Sequence, residues 1–494
     1  MGIVSDEIKA LKPTCFGAAE VRNIGGRFYV YPFTSKYDKI TKKRHKVTLR
    51  CVGKITLKDG FIPNKEGKTQ MAKLKMLPKL PCIVKSYGAY EMLEQLSPDL
   101  SDELKKFFPD CFREIRSFAL LRLVEQATPK QIHLLFEQSG LSDECADIAT
   151  SEASVRKFIL KLGTLEPQMQ AFMRSQMPKD GTVMFDGTSF FTRMDDSLSA
   201  KGYNPKRSLN PQVRLLYVFG TPVHKPLFYR VLQGSVVDKT AFIDTFKASG
   251  CTDCIVLADK GFYSKPNISV LQNSGLNINF IFPLQSNTKL VPASFYENLD
   301  NSKFDGVFTF NKRTIFFKKF KVGNDGNFVY TYLDESRRCD DMTHFVEKAE
   351  NNYDEEQFSP MDVTKQHQQG YFSFISNLDI SPKEIFLKYK QRWDIEECFD
   401  YLKNAVSTNP MYAHNNEYLS GLAFLNHISL LYYFGLINAL NQSEYHNDFT
   451  PSDLIKMTRN IEKVTYDDQT MVCQIPKKIQ EVLTAIGVDV LRKI

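Results

Sequence analysis

The chain lacks the cysteine patterns that are typical of disulfide-rich and zinc-binding proteins, and it has little tryptophan. Its ten cysteines are scattered along 494 residues, which argues against a secreted disulfide scaffold and favours reduced thiols in a cytoplasmic protein. Cys251 and Cys254 form a lone Cys-x-x-Cys motif without a second pair or clustered histidines, so we interpret them as small buried residues before a strand rather than a zinc site. Tryptophan occurs once, at Trp393, where core packing is the simplest role and base stacking the alternative.

The sequence also lacks the apolar segments that place proteins in membranes. Its opening residues, MGIVSDEIKALK, have no apolar core of the kind found in secretory signals. The longest apolar run, residues 419–440, is interrupted by Asn426, His427, Ser429 and Asn438. We therefore predict a buried helix here and no membrane partner.

What the sequence does contain is an uneven distribution of charge. The net charge of the whole chain is +7. Residues 35–85 alone hold 15 basic residues against 3 acidic ones, a local balance of +12, which leaves −5 for the rest of the chain. A basic segment on a roughly neutral body suits the binding of a polyanion, because each neutralised phosphate releases counterions. A basic domain that is merely soluble is the alternative.

The N-terminal part of the chain is predicted to form two modules. In residues 1–95 the segments RFYVYPFTS, KVTLRCVGKITL and PCIVKSYGAY have the composition of short strands, which indicates a basic β-rich module. Residues 96–175 show helical spacing, with Thr128 and Thr150 at helix starts. This succession of helices is compatible with a DNA-reading unit and equally with plain helical packing.

From residue 181 the signals alternate between strand and helix. TVMFDGTSFF, VRLLYVFG and PLFYRVLQGSVV are followed by a helix capped by Asp238, then CIVLADKGFYS, a second helix and NINFIFPL, which gives the order β-β-β-α-β-α-β. Asp186 interrupts the first strand and Asp259 ends the fourth, costly positions for a carboxylate that has no partner or cation. In a twisted sheet of this order, those two strands can lie side by side.

The segment SPKEIFLKYKQRWDIEECFDYLK is predicted to be a single helix with a Ser-x-x-Glu capping box at its start. At 100° per residue, Tyr389, Arg392, Glu396 and Lys403 fall on one narrow stripe of that helix. Such charges most often form a solvated helix face with ion pairs, which is the simplest interpretation of the stripe taken alone.

These motifs resemble those of a known family. The stripe matches the Tyr-x2-Arg-x3-Glu-x6-Lys signature of insertion-sequence-4-like transposases of the DDE class. The segments FDGTSF and LADKGFYS are similar to that family's two aspartate motifs, in the expected order. The resemblance is firm over about residues 181–440 and looser before residue 175. It implies an α/β fold with a ribonuclease H-like mixed sheet flanked by helices, a β-rich insertion, and N-terminal β and helical DNA-binding modules.

The insertion is expected in the long gap between Asp259 and Glu396, because ordinary connections are far shorter. GVFTFN, RTIFFKKFKV and NFVYTYLD alternate like a β meander, and an acidic stretch expected to form an exposed loop leads to the strand GYFSFISN. The predicted domains are 1–95 (basic β module), 96–175 (helical DNA-binding region), 176–290 (first part of the catalytic core), 291–370 (β-rich insertion), 371–441 (second part of the core, with the glutamate helix) and 442–494 (helical tail).

The resemblance also implies a site and a function. The catalytic residues, which would bind two Mg²⁺ or Mn²⁺ ions, are Asp186, Asp259 and Glu396. The DNA-binding residues are Tyr389, Arg392 and Lys403. His427 resembles a histidine that recurs in the family's next helix, and as a lone histidine on an apolar helix it is expected to be a satisfied core residue.

The implied function is cut-and-paste DNA transposition. The protein would bind the terminal inverted repeats of an insertion sequence, and would cleave and transfer DNA strands as a homodimer on DNA. It would act in the cytoplasm of a prokaryote, associated with the nucleoid. Two alternatives are a ribonuclease H-like nuclease or resolvase, and a catalytically silent DNA-binding derivative.

Overall fold

The computed structural model describes residues 3–38, 43–76, 82–202, 210–221, 223–236, 238–286, 288–298, 300–323, 326–352, 367–404, 413–466 and 469–492. The chain divides into two compact units. The first consists of Met1–Val84 with Val464–Met471, and the second of Lys85–Lys463 with Val472–Ile494. The finer domain boundaries given above remain predictions.

The first unit is built on an antiparallel sheet, within the residues predicted to form a β-rich module. Its elements up to residue 76 are α1 (Asp6–Ala10), β1 (Ala19–Ile24), β2 (Arg27–Asp38), β3 (Lys43–Thr48), β4 (Gly53–Thr56), β5 (Gly60–Pro63) and α2 (Lys65–Met76). The strand order is β1-β2-β4-β5, and β3 also pairs with β2. A small core holds Ile8, Ala19, Val30, Val52 and Ile55. The helix α2 is missing from the sequence prediction, because its lysine-rich composition has no apolar stripe to reveal it.

The second unit begins with a helix that the sequence analysis did not predict. After β6 (Ile83–Ser86) comes α3 (Gly88–Leu96), which lies in residues predicted to belong to the β-rich module. The helices expected in residues 96–175 are α4 (Pro98–Phe107), α5 (Phe112–Glu125), α6 (Ile132–Glu137), α7 (Leu141–Glu144), α8 (Glu152–Gly163) and α9 (Glu166–Ser175).

A large mixed sheet forms the centre of the second unit. Its first part has the predicted order β7 (Gly181–Phe191), β8 (Gln212–Gly220), β9 (Lys225–Gln233), α10 (Asp238–Ser249), β10 (Cys254–Ala258), α11 (Lys265–Gln272) and β11 (Asn279–Pro283). The chain continues through α12 (Ala293–Glu297), β12 (Gly306–Phe310), β13 (Arg313–Val322), β14 (Asn327–Asp334), α13 (Glu335–Asn352) and β15 (Tyr371–Ser376). Spatially the strands run β12-β13-β14-β15-β11-β10-β7-β8-β9. The prediction of an α/β mixed sheet flanked by helices is therefore confirmed.

The β-rich segment predicted as an insertion extends this same sheet. β15 pairs antiparallel with β11 on one side and with β14 on the other, so the meander joins the central strands edge to edge. The acidic stretch after β14 begins as the helix α13 rather than as the expected loop, and residues 353–366 lie outside the described part of the chain. Cys251 and Cys254 are both buried, as predicted.

The predicted single helix over residues 381–403 is wrong. The structure has α14 (Pro382–Lys390), followed by α15 (Trp393–Asn404). The capping box is confirmed, because the Ser381 hydroxyl accepts from the Glu384 amide and the Glu384 carboxylate accepts from the Ser381 amide. Between the helices, the amide of Arg392 donates to the carbonyl of Tyr389, a tighter i to i−3 turn. After Pro382 in the first turn, residues 383–403 contain no glycine or proline, so the local pattern gives no sign of the break.

The final elements are α16 (Asn416–Asn441), α17 (Pro451–Arg459), β16 (Glu462–Tyr466), β17 (Gln469–Val472) and α18 (Lys477–Ala485). α16 is long and apolar enough to cross a membrane, but 83% of its most apolar window is buried inside the protein. It packs closely on α8, since a Cβ at Gly421 would collide with the carbonyl of Ile159, and one at Gly163 with the carbonyl of Glu417. The prediction of a buried helix is confirmed.

Candidate active site

The two predicted aspartates lie on neighbouring strands at the centre of the sheet. β7 and β10 are parallel, and their register ends with Ala258 opposite Phe185. The next residues along both strands are Asp259 and Asp186, so the two carboxylates stand side by side. Each carboxylate accepts a hydrogen bond of 2.7 Å from the following backbone amide. This adjacency follows from the strand order that the sequence predicts.

The break between α14 and α15 brings Arg392 to these carboxylates. Its Nη1 lies 3.2 Å from an oxygen of Asp259, and its Nη2 lies 2.9 Å from Glu396. The same Nη2 is 3.9 Å from Asp186. All three predicted catalytic carboxylates therefore surround one positive charge, although they are far apart in sequence. The predicted role of Arg392 was a phosphate contact; in the free protein it holds the carboxylates.

Tyr389 contacts the guanidinium of Arg392. The Tyr389 hydroxyl accepts a hydrogen bond of 3.3 Å from Nη1 of Arg392, and its ring packs on Phe374 with centroids 4.3 Å apart. Burial raises the pKa of Tyr389 to about 12. Burial opposes the charge on Arg392, but the Tyr389 hydroxyl and the aspartates outweigh it and raise the pKa of Arg392 above its usual value. The guanidinium is thus a permanent cation at the centre of the site.

The donor set suits a hard divalent cation. Carboxylate oxygens are the preferred ligands of Mg²⁺ and Mn²⁺, and here three carboxylates already face one cation. The side chains are 17%, 36% and 57% exposed for Asp186, Asp259 and Glu396, so the site opens to solvent on the Glu396 side. In the conformation of the structure, no three His, Cys, Asp or Glu side chains among the described residues are close enough together to bind one metal ion. The residues therefore fit a metal site in their chemistry, with Arg392 between them.

Residues 178–430 match the family model for the transposase DDE domain. The chain belongs to this family. No curated protein matches the chain. Among solved structures, it is similar to the piggyBac transposase synaptic complex with hairpin DNA. The identity is 10%, over 75% of this chain and 78% of that chain, with a TM-score of 0.40.

The transposase DDE domain has a cavity of about 1150 Å³ beside its carboxylates. Asp259, Tyr389 and Arg392 line the end of this cavity nearest the site. Its further walls are basic and aromatic and include Lys260, Arg313, Arg337, Lys390, Phe372 and Phe386. This wall is absent from the sequence predictions, because its residues come from segments between β10 and β15 and from α14 and meet only when the sheet extends. The one available signal is the mixture of basic and aromatic residues in RTIFFKKFKV.

Two other residues of the DDE domain, Lys403 and Trp393, were given roles from the sequence. Lys403 lies on α15 beyond Glu396 and is half-buried, and its phosphate contact stays a prediction. Trp393 begins α15, but its side chain lies outside the described residues, so neither interpretation of it is tested.

His427 is fully buried and its ring lies 6.0 Å from that of Tyr217 and 5.3 Å from that of Tyr229. The core position is as predicted. Neither ring nitrogen has a hydrogen-bond partner among the described residues, so the prediction of a satisfied histidine is wrong.

Proposed function

We propose that this protein is an active transposase of the insertion-sequence-4-like superfamily, which cleaves DNA at terminal inverted repeats and joins the ends to target DNA. The observation that carries the proposal is the convergence of Asp186, Asp259 and Glu396 on one cation, inside the matched DDE domain. The spacing of the Tyr-Arg-Glu-Lys signature in the sequence supports the superfamily assignment.

We infer a ribonuclease H-like core from the order of its strands. The five strands around the aspartates run β9-β8-β7-β10-β11. β7, β10 and β11 are parallel, whereas β8 pairs antiparallel with both β7 and β9. This arrangement supports a core that offers two aspartates side by side on adjacent parallel strands, with the glutamate added from a later helix.

The carboxylates of Asp186, Asp259 and Glu396 would hold two Mg²⁺ or Mn²⁺ ions. Such ions, when bound, supply a nucleophilic oxygen at neutral pH and stabilise the leaving oxygen of a phosphodiester. Two cationic side chains of the protein would bind the DNA phosphates. Arg392 would exchange its carboxylate partners for a DNA phosphate, which a guanidinium binds in bidentate fashion, and Lys403 would act as a point charge. Tyr389 would orient Arg392 during this exchange.

DNA is the partner that the charge of the site favours. Beyond the carboxylates the cavity is lined by Lys260, Arg313, Arg337 and Lys390 against one acidic residue, Asp334, which pairs with Arg313. A phosphate backbone would neutralise the remaining positive charge. We further propose that a homodimer holds the two transposon ends together and that the protein acts in the cytoplasm of a prokaryote, at the nucleoid.

The experiment uses purified protein, labelled transposon ends and Mg²⁺. Strand-transfer products support the transposase, cleavage without joining supports a nuclease or resolvase, and binding alone supports a silent derivative. Glu396→Gln is expected to lower cleavage by at least about 100-fold with end binding retained, because even the neighbours of metal ligands are worth 10–100-fold. Glu481→Gln, a partly exposed change on α18, is the matched control. Normal cleavage by Glu396→Gln would show that the site is wrongly assigned.

A further inference from the structure

The sheet of the first unit carries aromatic rings on the face opposite its core. Side chains alternate between the two faces of a strand. In β2, Val30 is fully buried in the core. Tyr29, Tyr31 and Phe33 alternate with it, are half-buried, and belong to no core cluster among the described residues. We call the surface on their side the outer face.

Basic residues of the neighbouring strands flank these rings. Residues directly opposite each other in a sheet share a face. The register places Arg22 of β1 and Lys54 of β4 opposite Tyr29, and Lys46 of β3 opposite Ser35. By the same rule the basic residues of the outer face are Arg22, Arg27, Arg44, Lys46 and Lys54, and its acidic residue is Glu20.

Side-chain contacts show that this is one continuous surface. The guanidinium carbon of Arg22 lies 4.8 Å from the ring centroid of Tyr31, and Nζ of Lys46 lies 4.2 Å from that of Phe33. Glu20 accepts hydrogen bonds from both cations, although they project from strands on opposite sides of β2. Lys46 and then Arg22 lower the pKa of Glu20, so this carboxylate is ionised at neutral pH. Five cations and one anion leave the described outer face with a surplus of four positive charges.

We propose that the outer face binds duplex DNA, with its cations on the phosphates. The choice of DNA as the partner rests on the proposed function. The surface itself is identified independently, from the charges of its residues and the register of its strands. A surplus of positive charge around partly exposed rings complements a polyanion, and the counterions released on binding provide the driving force.

The cations that lie over the rings of the outer face favour duplex over single-stranded DNA. Single-strand platforms need open aromatic faces on which bases can stack, whereas Arg22 and Lys46 cover those of Tyr31 and Phe33. The strands that flank β2 are about 10 Å apart, at about 4.8 Å per strand step. With β5 beyond β4 the sheet spans about 14 Å, which is wider than the major groove of B-DNA at about 12 Å, so its cations would contact phosphates on either side of a groove.

The test compares two triple variants of the full-length chain that lose the same charge. Arg27→Gln/Arg44→Gln/Lys54→Gln removes exposed cations of the outer face and leaves the contacts of Glu20 in place. The control, Lys9→Gln/Arg113→Gln/Lys477→Gln, removes three cations elsewhere whose side chains are 60%, 49% and 91% exposed. Thermal melting of both variants checks that the fold is unchanged.

Binding is measured by fluorescence anisotropy in EDTA, which prevents cleavage, between 50 and 300 mM salt. The probes are a 30-base-pair transposon end, a random duplex of the same length, and one strand alone. The outer-face variant should bind both duplexes at least about tenfold more weakly at 0.1 M salt. Its slope of log affinity against log salt should fall by up to about 2.7, at about 0.9 per lost phosphate contact. The control should bind like the unmodified protein.

The outcomes separate this surface from the proposed function. An unchanged salt slope, a loss confined to the single strand, or no duplex binding by the unmodified protein would overturn the duplex-binding face. Strand transfer by the unmodified protein together with normal binding by the outer-face variant would leave the transposase proposal intact. Conversely, salt-dependent duplex binding through this face without cleavage or transfer would overturn that proposal and leave the face in place.

Discussion

Replacing His427 with leucine is expected to make the protein less sensitive to mild acid. The imidazole of His427 is fully buried in α16, against the rings of Tyr217 and Tyr229. Burial, with a smaller contribution from Lys225, lowers the pKa of His427 from 6.5 to about 3. The ring therefore stays neutral in the folded protein at pH values where it is protonated in the unfolded chain.

The size and sign of the effect follow from these two pKa values. Between about pH 6.5 and 3 the unfolded chain binds a proton at His427 that the folded protein does not bind. The stability associated with the neutral ring is thus present above pH 6.5 and is lost as the pH falls. At pH 5, which is 1.5 units below the unfolded value, the loss is about 2 kcal/mol, at about 1.36 kcal/mol per unit. At pH 7.5 it is close to zero.

The assay is urea denaturation of the unmodified protein and His427→Leu at pH 7.5 and pH 5. Leucine has a similar volume and cannot take up a proton, so every other titration is shared by the two proteins. The free energy of unfolding of the variant, relative to the unmodified protein, should rise by about 2 kcal/mol from pH 7.5 to pH 5. Parallel pH dependences, or a native His427 ring that titrates above pH 5 by NMR, would refute the reasoning.

Three further predictions concern the site and the helices around it. Arg392→Gln should raise the affinity of the DNA-free protein for Mn²⁺ by about fivefold in calorimetry, because a partly exposed guanidinium worth about 1 kcal/mol no longer competes for the carboxylates; equal or weaker binding would contradict this. Gly421→Ala should lower the free energy of unfolding by about 1–3 kcal/mol, since its Cβ would collide with the carbonyl of Ile159, and an unchanged melting temperature would count against that contact. Ser381→Ala should cost about 1 kcal/mol by removing the cap of α14, whereas Ser381→Asp should retain most of it.

Local signals predicted the part of the fold that surrounds the aspartates. Strand alternation and helix caps gave the order from β7 to β11, and that order places Asp186 beside Asp259. The break before α15 was missed because its cause is tertiary. The turn at Arg392 is accompanied by ion pairs to Asp186 and Asp259, which lie far away in sequence. A helical wheel drawn on an unbroken helix cannot represent such a turn.

The extension of the sheet was missed for a related reason. Alternation shows that β12 to β15 are strands, but it does not choose their hydrogen-bond partners. Ile281 of β11 pairs with Ser376 of β15, across nearly a hundred residues. The cavity wall depends on that pairing, so its basic residues could not be assigned to the site in advance. The two unpaired nitrogens of His427 likewise depend on which side chains meet in the folded core.

The order of the carboxylates along the chain matters while the protein is being synthesised. Asp186 and Asp259 can pair as soon as β7 and β10 have formed, whereas Glu396 follows Asp259 by 137 residues. At about 5–20 residues per second, a ribosome takes about 7–27 s to cover that distance. Over this period the nascent chain holds both aspartates but neither Arg392 nor Glu396. A gene copy interrupted in this interval would therefore encode the strand pair without the third carboxylate, and under the proposed function its product would not cut DNA.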